Sequence, residues 1–143
     1  MTVINEVHFE GKIAQKVIIV KDGKVLLLRD ARMQEVIWEL PGGRLNIDEE
    51  PRAGVAREIM EELRATIAVG EVVYMGQFLQ GSERNRAFII VYKATLIDET
   101  ADFVLLTNEV SEIAWVTKDD LKKYPLFPSY ARALNCYFEK YAN

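Results

Sequence analysis

The chain has 143 residues, half of them hydrophobic, and a net charge of −4 with both signs mixed along its length. That length fits one domain spanning residues 1–143, with apolar material enough for a core that needs neither disulfides nor a structural metal. The charge balance excludes a general binder of nucleic acid polymers, which carries a basic patch or stripe, but it leaves room for a small anionic substrate held by metal ions and a few local cations.

In chain order, Met1–Glu10 lacks the basic-then-apolar order of a signal peptide. It holds the only histidine, His8, which is poorly placed to build a triad. Ala14–Val20 reads as a strand, Lys21-Asp22-Gly23-Lys24 as a tight hairpin turn, and Val25–Arg29 as the return strand. Val36–Leu40 reads as a further short strand, broken by Pro41-Gly42-Gly43. A helix is predicted from Pro51 to Leu63, with Pro51 suited to its first position and Glu49 and Glu50 favouring its dipole. Ala53, Ala56, Ile59, Met60 and Leu63 recur at helical spacing and should pack on a sheet. Thr66–Gln80 reads as one long bent strand or two, with bends at Gly70 and Gly76. Gly81–Asn85 reads as a turn, Arg86–Ile97 as a strand, Asp98–Asn108 as a loop and Val110–Val116 as a short strand. Thr117 can cap a short helix through Leu121, and Ser129 a terminal helix through Tyr141. The lone cysteine, Cys136, should be a packed thiol in that last helix. Apolar runs such as Val25–Leu28 and Phe88–Tyr92 are of strand length, too short to span a bilayer. A soluble, cytoplasmic protein without membrane partners is expected, with a homodimer allowed. The fold class expected is α/β, a mixed β-sheet between helices.

The chemistry concentrates in Gly43–Ala65. Glu58, Glu61 and Glu62 stand at i, i+3 and i+4, so they share one helix face. Gly54, one turn earlier, leaves room beside them. Three neighbouring carboxylates repel one another unless something positive lies between. An oxygen-rich set of this kind suits a hard divalent cation, Mg²⁺ or Mn²⁺. Arg57 supplies further positive charge and can tie Glu49 to the helix. A carbonyl from Gly42 or Gly43 can complete the metal shell, because glycine admits close approach to the main chain. An isolated Glu-x-x-Glu-Glu is more often the solvated side of an amphipathic helix. The whole set is another matter: six specified residues at fixed spacing arise on the order of once in ten million placements at average composition.

The stretch resembles the Nudix box: Gly, five residues, Glu, seven residues, Arg-Glu, an aliphatic, one residue, Glu-Glu, one residue, Gly, an aliphatic. Gly43, Glu49, Arg57, Glu58, Ile59, Glu61 and Glu62 match it, and Trp38-Glu39-Leu40-Pro41-Gly42 is similar to the usual lead-in. Arg64 stands where the family has Gly, and Ala65 at the last aliphatic position. The resemblance implies a Nudix-like α/β/α sandwich and a metal-dependent pyrophosphohydrolase. It implies that Glu61 and Glu62 are the main metal ligands, that Glu58 binds metal or activates water, and that Glu49 and Arg57 hold the box together. A fourth carboxylate joins many such sites from a loop before a late strand. Glu109 fits that place, with Glu112 as its rival.

Substrate choice lies outside the box. Trp38, Phe78, Phe88 and Tyr92 can stack on a base, although core packing is the better reading of each. Arg29, Arg32, Arg44, Arg84 and Arg86 are candidates for phosphate or sugar contacts. Gln77–Asn85 lacks the proline found at that distance in many ADP-ribose-cleaving relatives. Glu39-Leu40-Pro41 leans toward a nucleoside diphosphate linked to another group, with a nucleoside triphosphate, oxidised ones included, as the near alternative. A non-catalytic nucleotide-binding module is a third class, disfavoured because every box carboxylate is present. An isomerase would need catalytic groups that the sequence does not display.

Overall fold

Asp22 and Gly23 adopt φ of +51° and +74° in the computed structural model, as a tight hairpin turn requires. The structure describes residues 6–79 and 86–141. The turn joins β1 (Lys12–Lys21) to β2 (Lys24–Asp30), yet the two strands pair only at Val20–Val25 and Lys21–Lys24. Beyond that they separate. β1 takes β6 (Arg86–Leu96) as a parallel partner and β4 (Gly42–Arg44) as an antiparallel one. β2 takes β3 (Trp38–Glu39) and β7 (Val110–Val116), both antiparallel. β5 (Ile67–Leu79) runs antiparallel to β6 at the edge. The sheet is mixed, as expected.

Side chains alternate across it with the period of two that a strand imposes. Val17, Ile19, Leu26 and Leu28 face α1 (Pro51–Leu63), packing with Val55, Ile59 and Leu63. Ile18, Val25 and Leu27 face the other way, onto Tyr130, Ala133, Leu134 and Phe138 of α2 (Pro128–Tyr141). The result is helix, sheet, helix: an α/β/α sandwich. Among the described residues no helix is long and apolar enough to cross a membrane.

Several local expectations change. Val36–Leu40 contracts to the two residues of β3, because only Trp38 and Glu39 pair with β2. Pro41-Gly42-Gly43 does not break the sheet there, since Gly42–Arg44 is itself a strand on β1. On α1 the packed face is Val55, Ile59 and Leu63. Ala53 is exposed and Met60 is 39% exposed, so the apolar face is rotated toward Val55. The room beside Gly54 is taken by the Glu49 carboxylate rather than left next to the other carboxylates. β5 is one strand. Its register shifts lie between Val69 and Tyr74, bracketing Gly70, whereas Gly76 pairs regularly with Ile89. The predicted turn Gly81–Asn85 lies outside the described residues. The Asp120 N–H donates to Thr117 Oγ1, but the helical turn that follows is Leu121–Lys123 rather than ending at Leu121. α2 starts one residue ahead of Ser129, which lies buried inside it. Cys136 is exposed rather than packed, because it points away from the Ala133–Leu134 and Tyr137–Phe138 stripe.

Two anchors position α1. Gln15, on β1, donates from Nε2 to the Pro51 carbonyl (2.9 Å) and accepts from the Tyr92 hydroxyl (2.7 Å), pinning the start of the helix to the sheet. At its start, Glu50 caps the helix by accepting from the Ala53 N–H. At its end, the segment 98–109 is not free loop. The N–H groups of Val104 and Leu106 donate to the carbonyls of Leu63 and Glu62, satisfying acceptors that a helix terminus leaves open.

Arg64 closes α1 in the left-handed conformation (φ +54°, ψ +39°), its N–H donating to the Met60 carbonyl. A non-glycine residue holds that conformation at a cost of about 1 kcal/mol. We expect Arg64→Gly to raise stability by up to about 1 kcal/mol in a urea melt and to leave turnover within about threefold. A hundredfold loss of turnover with the fold intact would put Arg64 in the site instead.

Candidate active site

The carboxylates of α1 occupy three different environments. Glu62 is 3% exposed, and its Oε1 accepts the Gly42 N–H at 2.8 Å. Glu58 is half-buried against Gly43, where a Cβ would come within 2.3 Å of its carboxyl group. Glu61 points outward, with 53% of its side chain exposed. Arg57 gathers the remainder. It donates from Nε and Nη2 to Glu49 (2.6 and 3.1 Å), from Nη1 to Glu61 (3.0 Å), and its Nη2 stands 3.0 Å from Glu58. The positive charge that the acidic cluster requires is thus covalently built into it.

β4 turns its backbone in a way that matters. Val17 donates to the Pro41 carbonyl and Leu45 to the Ile13 carbonyl, and antiparallel pairs alternate between bonded and non-bonded. Gln15–Gly43 is therefore a bonded pair, and Lys16–Gly42 is not. Gly43 directs its N–H and carbonyl into the ladder. Gly42 directs both away from it, the N–H to Glu62 and the carbonyl to Lys16 Nζ at 3.4 Å. Gly42 also holds φ of +141° with the Gln15 carbonyl 2.1 Å from where a Cβ would stand, so this position needs glycine.

Glu62, Lys16 and Glu39 make a buried charged group, at 3%, 7% and 6% exposure. Burial pushes the Glu62 carboxyl up to about 8, in spite of Lys16 and the Gly42 N–H. Burial likewise raises Glu39, with Lys16 opposing, and Glu58, with Arg57 opposing. Burial opposes the charge on Lys16, but Tyr130, Glu39 and Glu62 together hold it above the ordinary lysine range. The partly buried Glu49 lies below its usual range, through its bonds from Arg57 and the Asn46 N–H.

A cleft of about 450 Å³ opens over Lys16 and Glu39. Lys16, Glu39, Gly43 and Glu58 form its floor, and Arg44, Phe78 and Glu109 line its walls with Arg32, Phe127 and Tyr130. Glu109 is carried there by the segment that seals α1: Leu106, bonded to Glu62, accepts from the Glu109 N–H, and the Glu109 carbonyl accepts from Ala31. Glu112 stands elsewhere, on β7, paired with Arg29 at 2.7 Å. Arg86 is exposed on β6 and does not line the cleft, and Arg84 lies outside the described residues. Trp38 and Tyr92 are core residues, Trp38 packing edge-on to Tyr124, and Phe88 meets Phe9. Of the four aromatics singled out in the sequence, Phe78 alone reaches the cleft.

Phe127 and Tyr130, which meet edge-on at 6.0 Å, escaped sequence reasoning because α2 spacing made Tyr130 a core residue. Lys16 escaped it too. A polar pair, Gln15-Lys16, inside an otherwise apolar strand was the signal that could have found it.

Oxygen donors on Glu58, Glu61, Glu62 and Gly42 fit a hard divalent ion. Among the described residues no three carboxylates converge on one point as they stand. Arg57 accounts for this by drawing Glu58 and Glu61 toward itself and away from Glu62. An ion would have to win Glu58 and Glu61 from Arg57. Glu62, buried and short of positive charge, is the ligand such an ion would compensate most.

The NUDIX domain profile matches residues 12–135. The chain belongs to the Nudix family. It is similar to a "MutT-like protein" of Streptomyces ambofaciens, 32% identical over 75% of this chain and 64% of that protein. It is similar to the "CTP pyrophosphohydrolase" of Escherichia coli, 29% identical over 78% of this chain and 80% of that one. A "Putative 8-oxo-dGTP diphosphatase 2" of Mycobacterium tuberculosis is 33% identical, over 71% of this chain and 77% of that one. Among solved structures, the MutT protein of Methanosarcina mazei superposes with a TM-score of 0.75 at 27% identity, covering 95% of this chain and 99% of that one. In this Nudix chain the box carboxylates sit on α1, as their spacing put them, and the box glycine lies on β4 rather than in the turn that Pro41-Gly42-Gly43 suggested.

Proposed function

We propose that the chain hydrolyses a phosphoanhydride bond of a nucleoside triphosphate, using Mg²⁺ or Mn²⁺. The observation that carries this reading is the buried Glu62 carboxylate, bonded to Gly42 directly before Gly43 in the lining of a cleft that also presents Glu58 and Glu109. Glu58, Glu61, Glu62 and the Gly42 carbonyl would hold the ion. When bound, such an ion neutralises the anhydride and acidifies water. Glu58, at the cleft floor, accepts the proton of the attacking water. Arg57 keeps Glu49 clamped and orients Glu58. Arg44 at the wall meets phosphate, and Phe78 and Phe127 offer faces to a base. Water attack splits the P–O–P link without a covalent enzyme intermediate.

The triphosphate is preferred over the linked diphosphate for two reasons. The relatives matched over 77–80% of their own length carry the printed names of a CTP pyrophosphohydrolase and an 8-oxo-dGTP diphosphatase. In addition, Glu39 and Leu40 of the lead-in have structural duties: Leu40 is fully buried and Glu39 balances Lys16. Their identity says little about substrate. The test is a hydrolysis panel of nucleoside triphosphates, oxidised triphosphates and nucleotide conjugates with Mg²⁺ or Mn²⁺, products identified. Pyrophosphate release from triphosphates, abolished by chelator, is the expected result. Preferential cleavage of conjugates would overturn the substrate class. Tight nucleotide binding without turnover would overturn the enzyme in favour of a binding module.

Glu109 completes the proposed metal shell. Glu109→Gln should weaken Mg²⁺ activation by about tenfold or more, as loss of a charged ligand does, while Glu112→Gln, which loses only a surface ion pair with Arg29, should change it less than twofold. Exchanged outcomes would transfer the role to Glu112.

A further inference from the structure

Lys16 projects from the middle of β1, where its neighbours Gln15 and Val17 are 1% and 0% exposed. An ammonium group has three N–H donors to satisfy, and burial removes much of the water that would satisfy them. One donor reaches the Gly42 carbonyl, at the long distance of 3.4 Å, and the ammonium lies 5.6 Å from the centre of the Tyr130 ring. Among the described residues, no carboxylate comes within ion-pairing distance of it. Methionine would fill the same space with no charge to hold. The Tyr130 hydroxyl serves as a second partner, and the open direction for the remaining donor is the cleft, where Arg32 and Arg44 also stand. The same lining carries Asp30, Glu39, Glu58 and Glu109, with Arg32 paired to Asp30 at 3.0 Å, so the cleft joins carboxylates that suit a cation to a buried ammonium that suits an anion.

We propose that Lys16 binds a phosphate oxygen of the substrate, and that it rests on the Gly42 carbonyl until a divalent ion takes that carbonyl. The inference builds on the reading of the cleft as a metal and phosphoanhydride site. An ion on the same carbonyl would repel the ammonium, so the lysine would turn toward the cleft. There it meets a phosphate already drawn in by the ion. Lys16 and the ion repel each other, and the phosphate between them relieves the repulsion.

This arrangement gives two effects of opposite sign when the charge is removed. A divalent ion on the Gly42 carbonyl would place like charge beside the Lys16 ammonium. Without Lys16 that repulsion is absent, and metal binding tightens. Without Lys16 the phosphate also loses a charged donor, and anion binding weakens. A lysine that merely propped β4 against β1 would move both affinities downward or neither.

The experiment uses the full chain, its Lys16→Met variant and its Lys16→Arg variant. Mn²⁺ alone is titrated by its paramagnetic signal. Methylenediphosphonate, an uncleavable diphosphate without a nucleoside, is then titrated by calorimetry in saturating Mn²⁺. For Lys16→Met we expect Mn²⁺ binding about 3- to 10-fold tighter, from relief of a like-charge contact. Methylenediphosphonate binding should be about 30-fold weaker or more, the scale of a lost charge-assisted hydrogen bond. Lys16→Arg, which keeps the charge, should recover part of the diphosphonate affinity and none of the metal gain. Unchanged diphosphonate affinity in Lys16→Met overturns the proposal, and so does weaker Mn²⁺ binding. If Lys16→Met does not fold, Lys16→Arg alone decides, and wild-type Mn²⁺ affinity with lost diphosphonate binding would overturn it. Because the probe carries no nucleoside and is not cleaved, the result stands apart from the hydrolysis panel. Failure of that panel would remove the substrate class and leave the lysine's role measured.

Discussion

Glu62→Gln should lower turnover at least about a hundredfold while leaving the chain folded, the scale expected when several kcal/mol of metal-based charge stabilisation is lost. Glutamine has nearly the helix propensity of glutamate, so α1 should persist. It also keeps an amide oxygen to accept the Gly42 N–H. What it lacks is the negative charge that holds a hard cation. In the metal-free protein that charge is a burden: the carboxyl is 3% exposed and binds a proton up to a pH of about 8. The metal-free variant should therefore melt no lower than the wild type. The wild type should gain thermal stability on adding Mg²⁺ or Mn²⁺, because an ion that binds only the folded chain stabilises it by mass action. The variant should lose that gain. Steady-state hydrolysis and melts with and without metal make the measurement. Near-normal turnover in a folded variant would reduce the carboxylate face to ordinary surface.

Gly42→Ala should unfold the β1–β4 contact and cost at least about 3 kcal/mol, from backbone strain together with overpacking. The added Cβ would stand 2.1 Å from the Gln15 carbonyl oxygen and 2.8 Å from the Lys16 Cα, both of them backbone atoms that cannot turn aside. The φ of +141° forbids an easy alternative. For a chain of this size the melting temperature should fall by roughly 10 °C. Gly43→Ala makes the instructive contrast. Its Cβ would strike the Glu58 carboxyl, the end of a flexible side chain. That variant should keep most of its stability and lose activity instead. Equal destabilisation by the two substitutions would contradict the assigned backbone directions of β4.

The layout of the site was readable where the chemistry is local in sequence. Glu58, Glu61 and Glu62 stand on neighbouring turns of one helix, and Arg57 and Glu49 bind each other eight positions apart, so spacing alone brought them together. The hairpin was equally plain, because Asp22-Gly23 is a turn whatever surrounds it. What spacing could not supply was the set of partners contributed by distant strands. Lys16 reaches the cleft only because β4 lies beside β1, Tyr130 only because α2 packs behind the sheet, and Phe127, just ahead of α2, through its contact with Tyr130. The strand Gly42–Arg44 was missed because a Pro-Gly-Gly run carries turn propensity, which tertiary pairing overrides. The outward face of Met60 was missed because periodicity gives a stripe without fixing its centre. Val55, packed against the sheet, sets the true one.

β1 and its parallel partner β6 are separated in the chain by the whole of the box helix and β5, with Lys12 opposite Ala87 and Ile19 opposite Ala94. Such pairing closes a long loop before any contact offsets the loss of chain freedom, which slows folding to the range of milliseconds to seconds. During synthesis the apolar run Val17–Val20 must therefore wait, one edge unpaired, until β6 has been made. In that interval the cleft lacks the walls that Glu109, Phe127 and Tyr130 supply, although every box residue has already been translated. A nascent chain stopped after α1 carries the complete signature and none of the geometry, with an adhesive strand exposed to its neighbours.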